Sequence, residues 1–448
     1  MIRAVLVANR GEIARRVFRA CRQLGIRTVA VYSEADRNAV HVRDADEAVP
    51  IGGAPARESY LSAERILEAA RQVRADAIHP GYGFLSENWR FAQAVRDATI
   101  VFIGPKPDAI RKMGDKIEAR RLMAAAGVPV LPGSFTPVAD AAEAQRVAGH
   151  VGFPVILKAA AGGGGIGMAR VGKEAELPTA FTTASRRAQA AFGSGELYVE
   201  RYLERSRHVE IQVFGDDSGR VVHLHERECS IQRRHQKLVE ESPAPNLSES
   251  SKAGLTRAAV AGALAIGYTN AGTMEFLVSE SGEFYFLEMN TRLQVEHPVT
   301  EESTGLDLVV AQLRVASGEQ LPWSQTEIVQ GRAAVECRVY AEDPAKGFLP
   351  SPGTVSKLVL PSGDGIRIES GIDAGSTVSV HYDPLLLKLV THAPTRAQAV
   401  QRMADALDGS AIEGVRTTIP FLRRVIASNE FRQGRVHTQM LEQGAFNA

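Results

Sequence analysis

The chain has 448 residues, 44% hydrophobic and 23% charged, and its 52 Lys plus Arg balance 52 Asp plus Glu. That balance removes any bulk electrostatic reason to expect nucleic acid or an anionic membrane as a partner, and no apolar run reaches the roughly 20 residues a spanning helix needs. Cys21, Cys229 and Cys337 are odd in number, far apart and in no metal-ligand spacing, so they read as reduced thiols and the protein as cytoplasmic.

The first hundred residues alternate strand and helix. Residues 4–8 form an apolar, β-branched strand. Ile13, Val17, Cys21 and Leu24 then recur at helical spacing, Gly25 stops the helix, and 27–32 is the next strand. Residues 75–79 and 99–103 continue a βαβ pattern, which predicts a parallel sheet with ligand-facing loops at the strand C-termini. A helix over 115–126 ends at Gly127. Strands follow at 155–158, 168–171, 209–214, 221–226, 273–278 and 284–290. Alternation and the turn pairs Ser362-Gly363 and Asp364-Gly365 predict antiparallel sheet in the last hundred residues.

Five segments could carry chemistry. The first puts Lys158 at a strand end before Gly162, Gly163, Gly164 and Gly165. Consecutive glycines bring backbone N–H groups close to an anion, and the lysine could meet phosphate as a point charge. It is neither a Walker A loop nor a dinucleotide fingerprint, since Asn9-Arg10-Gly11-Glu12 follows the first strand instead. The second is the strand pair 274–278 and 283–290 around Ser281-Gly282. A turn centred there sets Glu275 across from Glu288, with Asn290 on the same face as Glu288, and by alternation Phe284 and Phe286 there too. Facing carboxylates need neutralising, and Mg²⁺ with nucleotide phosphates would do so.

The third is Arg292-Leu-Gln294-Val295-Glu296-His297-Pro298, where Arg and Gln suit a small planar oxyanion and Glu296 suits a general base. The fourth is the basic segment Glu228 to Lys237, with Gln232 and His235 inside it, better matched to an anionic substrate than to nucleic acid. The fifth, His79-Pro-Gly-Tyr82-Gly83-Phe-Leu-Ser-Glu-Asn88, is a turn that lets backbone and ring approach a ligand.

These segments, with Ala334-Val-Glu-Cys-Arg338, resemble in order and spacing the biotin carboxylase family of ATP-grasp enzymes over essentially the whole chain. The resemblance implies an α/β ATP-grasp fold. A Rossmann-like parallel-sheet domain would occupy 1–113, and an ATP-grasp domain with a mobile glycine-rich lid at about 131–203 would occupy 114–320. An antiparallel-sheet C-terminal domain would fill 321–448. It implies ATP ligands at Lys116, Lys158, Gly163, Gly164, Gly165, Glu200, Leu203, His208, Gln232, His235, Leu277 and Val436, and Mg²⁺ (or Mn²⁺) ligands at Glu275, Glu288 and Asn290. Bicarbonate would sit on Arg292, Gln294 and Val295 with Glu296 as base. Biotin would meet Tyr82, Gly83, Lys237 and Arg338, with Lys237, Arg292, Glu296 and Arg338 as the catalytic set.

No Ala-Met-Lys-Met signal occurs, so the resemblance implies a biotin carrier and a carboxyltransferase acting in trans. It also implies a homodimer and a place in acetyl-CoA or other acyl-CoA carboxylation, hence in fatty acid metabolism. The chain departs from the family pattern at Ala161 and Ile166, and its Glu275-to-Glu288 interval is one residue longer than in the bacterial subunits it resembles, a difference the turn would absorb. Residues 339–344 lean toward propionyl- or methylcrotonyl-type carboxylases. An amide-forming ATP-grasp ligase and an inactive nucleotide-binding scaffold are the rival readings.

Overall fold

The computed structural model describes residues 2–160 and 167–446. Strands β1 (Ala4–Val7), β2 (Arg27–Ser33), β3 (Glu47–Gly52), β4 (Ala77–His79) and β5 (Val101–Phe102) form a parallel sheet in the order β3-β2-β1-β4-β5. β1 is buried on both faces, which is why it is a continuous apolar run without alternation. The helix Gly11–Gln23 covers one face through Ile13, Val17, Phe18 and Cys21. Full burial of each such side chain contributes roughly 1.5–3 kcal/mol.

The strand order reverses at β1, so the loops after β1 and β4 flank a crevice, the usual place for a ligand in an open α/β sheet. Asn9, in the first loop, donates to the carbonyls of Pro80 and Tyr82 in the second, at 2.8 and 2.7 Å.

A small antiparallel sheet follows, with β6 (Val155–Ala159) between β7 (Ala169–Val171) and β8 (Leu197–Arg201) and the helices Ala141–Val151 and Leu177–Phe192 packed on it. The glycine tract joins β6 to β7, so Ala161, Gly163, Gly164, Gly165 and Ile166 lie outside the described residues.

The longer strands that follow are β9 (Arg207–Gly215), β10 (Val221–Arg233), β11 (Gln236–Ser242), β12 (Asn270–Val278), β13 (Phe284–Asn290), β14 (Ala333–Tyr340), β15 (Ile366–Ser370) and β16 (Leu385–Ala393). They make one antiparallel sheet in the order β13-β12-β9-β10-β11-β14-β16-β15. The sheet crosses the expected division at residue 320, because β11 pairs with β14 through Val239 and Cys337. The three cysteines are free and buried, and among the described residues no helix is long and apolar enough to cross a membrane.

Candidate active site

The β12–β13 hairpin brings Glu275 directly opposite Glu288, as the spacing predicts, but for a different reason. The turn pairs Val278 with Phe284 and Phe276 with Phe286, a register that alone would put Glu275 opposite Leu287. A β-bulge between Phe286 and Glu288 supplies the missing step. The extra residue of the interval is therefore absorbed in the strand and not in the turn. The bulge also corrects the expected faces. Leu287 and Glu288 both line the cavity, whereas Phe286 packs edge-on against Phe276 in the core on the opposite face.

The basic segment is a hairpin rather than a loop. β10 runs to Arg233, seven residues beyond its expected end, and Gln232 pairs with Lys237. Its two-residue turn is Arg234-His235, with φ of +48° and +68°. Two-residue hairpins require positive φ, which usually selects Asn-Gly. Holding Arg and His there costs about 1 kcal/mol per residue, and both side chains border the cavity. Arg233 turns away to Glu342.

These hairpins, the small sheet and the turn after β13 enclose a cavity of about 360 Å³. Its lining combines the apolar Leu131, Ile156, Met168, Leu203, Leu277 and Leu287 with Lys116, Lys158, Glu275, Glu288 and Asn290 and with Lys237, Arg292, Gln294, Val295 and Arg338. Apolar side chains, lysines and a set of convergent polar groups suit a planar base, its phosphates and a small anion.

The charged network at the cavity is built on one rung of the sheet. Across four strands Glu288, Glu275, Glu210 and Arg227 are successive Cα partners. Lys237 Nζ donates to Glu296 at 2.5 Å, to Glu275 at 2.8 Å and to Glu210. Arg338 donates to Glu296 at 2.9 Å and lies 2.6 Å from Glu240, while the fully buried Arg227 reaches Glu210 at 2.5 Å. Burial alone would raise the Glu296 carboxyl. Lys237, Arg338 and Arg227 outweigh it and hold the group well below the usual carboxylate range. Burial likewise opposes the Lys237 ammonium, but the three carboxylates hold it well above its ordinary range.

Arg292 donates to Glu87, Gln294 and Asn290 at 2.9–3.0 Å, and Gln294 in turn donates to Glu275 at 3.0 Å. Glu296 ends the turn and caps the helix His297–Thr304, whose Pro298 stands in the first turn. A carboxylate there also meets the positive end of the helix dipole.

A hard divalent cation fits the cavity. Glu288 pairs with Glu275 across the hairpin, and its carboxylate has no hydrogen-bond partner among the described residues. Burial, and then the Glu275 charge opposite, raise its carboxyl, so ionising it calls for a cation. Glu275 and the amide oxygen of Asn290 supply further oxygen donors of the kind Mg²⁺ takes. His208 Nε2 lies 3.1 Å from Glu275, and Gln232 is beside it.

Five expected residues do not line the cavity, and the first is Glu296, fully buried and joined to it through Lys237 and Arg338. Glu200 does not line the cavity: its backbone pairs with Ile156, and its carboxylate meets Arg120 and, at 2.5 Å, Lys158. Val436 is packed in the C-terminal core, and Thr438 and Gln439 border the cavity instead. Tyr82 and Gly83 lie outside it, Tyr82 bonding to Glu12. Their loop reaches the site through Glu87, the partner of Arg292.

Glu210, Arg227, Glu240 and Glu87 escape the sequence reading. Glu210 carries a usable signal, because His208, Glu210 and Gln212 alternate with Val209, Ile211 and Val213. That alternation marks one polar and one apolar face, and all six side chains are buried.

Comparison with known proteins matches three family descriptions along the chain. They are "Biotin carboxylase, N-terminal domain" over 1–110, "Carbamoyl-phosphate synthase L chain, ATP binding domain" over 115–324 and "Biotin carboxylase C-terminal domain" over 336–443. The chain is 52% identical to Biotin carboxylase 2 of Bacillus subtilis, covering 99% of this chain and 100% of that one. It is 51% identical to a pyruvate carboxylase component of Methanothermobacter thermautotrophicus, over 99% and 90% of the two chains. A crystal structure of the biotin carboxylase domain dimer of Hydrogenobacter thermophilus 2-oxoglutarate carboxylase, with MgADP, ADP and bicarbonate, superposes with a TM-score of 0.96. It is 48% identical and covers 100% of this chain and 99% of that one.

Proposed function

The chain belongs to the biotin carboxylase family of ATP-dependent ligases, and from that premise we propose that it uses MgATP and bicarbonate to carboxylate biotin held on a separate carrier. The observation that carries this reading is the meeting of Lys237 and Arg338, which line the cavity with Arg292 and Gln294, on the fully buried Glu296. An amide-forming ligase needs a nucleotide slot and a metal site, but it has no use for a base locked between two cations beside an oxyanion grip.

ATP lies with its base between Leu277 and Leu203, and its phosphates against Lys116 and Lys158. Glu275, Glu288 and Asn290 would hold Mg²⁺, which would neutralise phosphate charge and supply a Lewis acid. Arg292, Gln294 and the Val295 backbone orient bicarbonate. Glu296 takes its proton, and the bicarbonate oxygen attacks the γ-phosphorus, releasing ADP and forming carboxyphosphate. Carboxyphosphate yields CO₂ and phosphate in place, the phosphate takes the N1′ proton of biotin, and N1′ forms the new bond to the CO₂ carbon. Arg338 stabilises the negative oxygen that the ureido ring carries only in passing.

The division into 1–113, 114–320 and 321–448, the homodimer and the cytoplasmic location are part of the same proposal. So is a place in acetyl-CoA or another acyl-CoA carboxylase. The relatives named above include enzymes of pyruvate and 2-oxoglutarate carboxylation, so the acceptor belongs to the partner transferase. The test is ADP formation by the purified chain with Mg²⁺, with and without bicarbonate and free biotin. Turnover that rises with biotin only when bicarbonate is present supports the proposal, and turnover indifferent to either refutes it.

A further inference from the structure

Lys388 on β16 is the direct cross-strand partner of Arg338 on β14, and both are buried. Two cations side by side destabilise a sheet unless each has its own partners. Arg338 reaches Glu296 and Glu240. Lys388 Nζ donates to the carbonyl of Val295 at 2.7 Å and lies 3.2 Å from Glu12 Oε2. Adjacent cations on neighbouring strands thus grip adjacent residues, 295 and 296, of the turn that carries the oxyanion site.

Glu12 belongs to the first turn of the helix Gly11–Gln23, and its other oxygen accepts the Tyr82 hydroxyl. The Lys388 ammonium stands 5.9 Å from the centre of the Tyr82 ring. The start of that helix is fixed from the other side, since a Cβ at Gly371 would come within 3.0 Å of the Glu12 backbone nitrogen. A methionine at 388 would fill similar space without the desolvation of a buried charge, so the ammonium answers to its partners rather than to packing.

We propose that Lys388 is a positioning residue for bicarbonate: it fixes the Val295–Glu296 segment, and through Glu12 it ties that segment to the Tyr82 loop. The proposal rests on the biotin carboxylase reading above. Lys388 touches none of the reacting atoms and acts through Val295.

The test compares Lys388→Met, Lys388→Arg and Glu12→Gln with the wild-type chain in biotin- and bicarbonate-dependent ADP formation, alongside direct nucleotide binding. Removing a charged hydrogen bond from the Val295 carbonyl should raise the KM for bicarbonate about tenfold in Lys388→Met. Nucleotide affinity should stay within about twofold, and Lys388→Arg should recover part of the loss. Glu12→Gln, which keeps an acceptor for Tyr82 but drops the charge beside Lys388, should raise the same KM about threefold. It decides the matter if Lys388→Met does not fold. An unchanged bicarbonate KM in folded variants of an active enzyme overturns this inference alone. A wild-type chain with no bicarbonate- and biotin-dependent turnover overturns the functional reading and the inference with it.

Discussion

Lys237 donates to Glu296 across 2.5 Å with both groups buried, so the residue proposed as base is held ionised by the cation beside it. A carboxylate pinned so far below its ordinary range is a poor base in the empty site. On the proposed reading, bicarbonate and the phosphates of ATP would draw the same cations toward themselves and so raise the proton affinity of Glu296 once both substrates are in place.

Glu296→Gln should therefore lower kcat by about 10²–10⁴-fold, the usual contribution of a positioned base, with the nucleotide dissociation constant unchanged within about threefold. Lys158→Met should do the reverse, weakening nucleotide binding first. Single-turnover kinetics with equilibrium nucleotide binding separates the two, and equal loss of affinity in both variants would mean the roles are misassigned.

Lys237 is shared by Glu210, Glu275 and Glu296. Lys237→Met leaves three buried carboxylates with one cation fewer. Breaking such an arrangement on one side costs about 3–5 kcal/mol, so a clear drop in thermal unfolding temperature should accompany loss of activity. A variant as stable as wild type would show that the network is not maintained as ion pairs.

Glu288→Gln should raise the free Mg²⁺ needed for half-maximal turnover about tenfold or more with little change in unfolding temperature, because Glu288 has no hydrogen-bond partner among the described residues. Glu275→Gln should raise the Mg²⁺ requirement and also destabilise the fold, since Glu275 anchors Lys237, Asn290 and Gln294. A Mg²⁺ titration of turnover with a thermal melt of each variant distinguishes the two roles.

The N-terminal helix meets the C-terminal domain through charge. Arg19 and Arg367 both pair with Glu369, and Arg16 and Arg367 with Glu301. Burial would raise the Glu369 carboxyl, but Arg367 and Arg19 bring it down to about 2. A lowered carboxyl stabilises the fold above its unfolded value near 4.5, and that contribution is lost as pH falls toward 2. The stability gap between wild type and Glu369→Gln should be full at pH 7, about 40% smaller at pH 3.5 and closed below pH 2. Denaturant titrations at pH 7 and pH 3.5 check the sign, and a gap that widens in acid would contradict it.

The parallel sheet and the β12–β13 hairpin were legible in the sequence because local pattern determines them, through apolar runs, alternation and turn pairs, whereas the β10–β11 hairpin, turning at Arg234-His235 without a turn signal, was not. Glu275 opposite Glu288 was legible too, but by an equal-offset argument that missed the bulge at Leu287, so Phe286 was put on the wrong face. A bulge leaves no composition signal, as it is chosen by packing across strands. The joining of β11 to β14 pairs residues nearly a hundred positions apart, and Lys237 meeting Glu210, Glu275 and Glu296 depends on tertiary closure of that sheet. No local period reports such contacts. Glu210 alone could have been found locally, from the polar face of its strand.

The most direct test of the account follows the carboxyl carbon. The purified chain is given MgATP, ¹⁴C-bicarbonate and biotin, and ADP is counted against acid-labile label fixed on biotin. The account predicts one labelled carboxybiotin formed per ADP, with both products lost in Glu296→Gln. ADP formed without label on biotin, or with label or turnover directed to another acceptor, would contradict it.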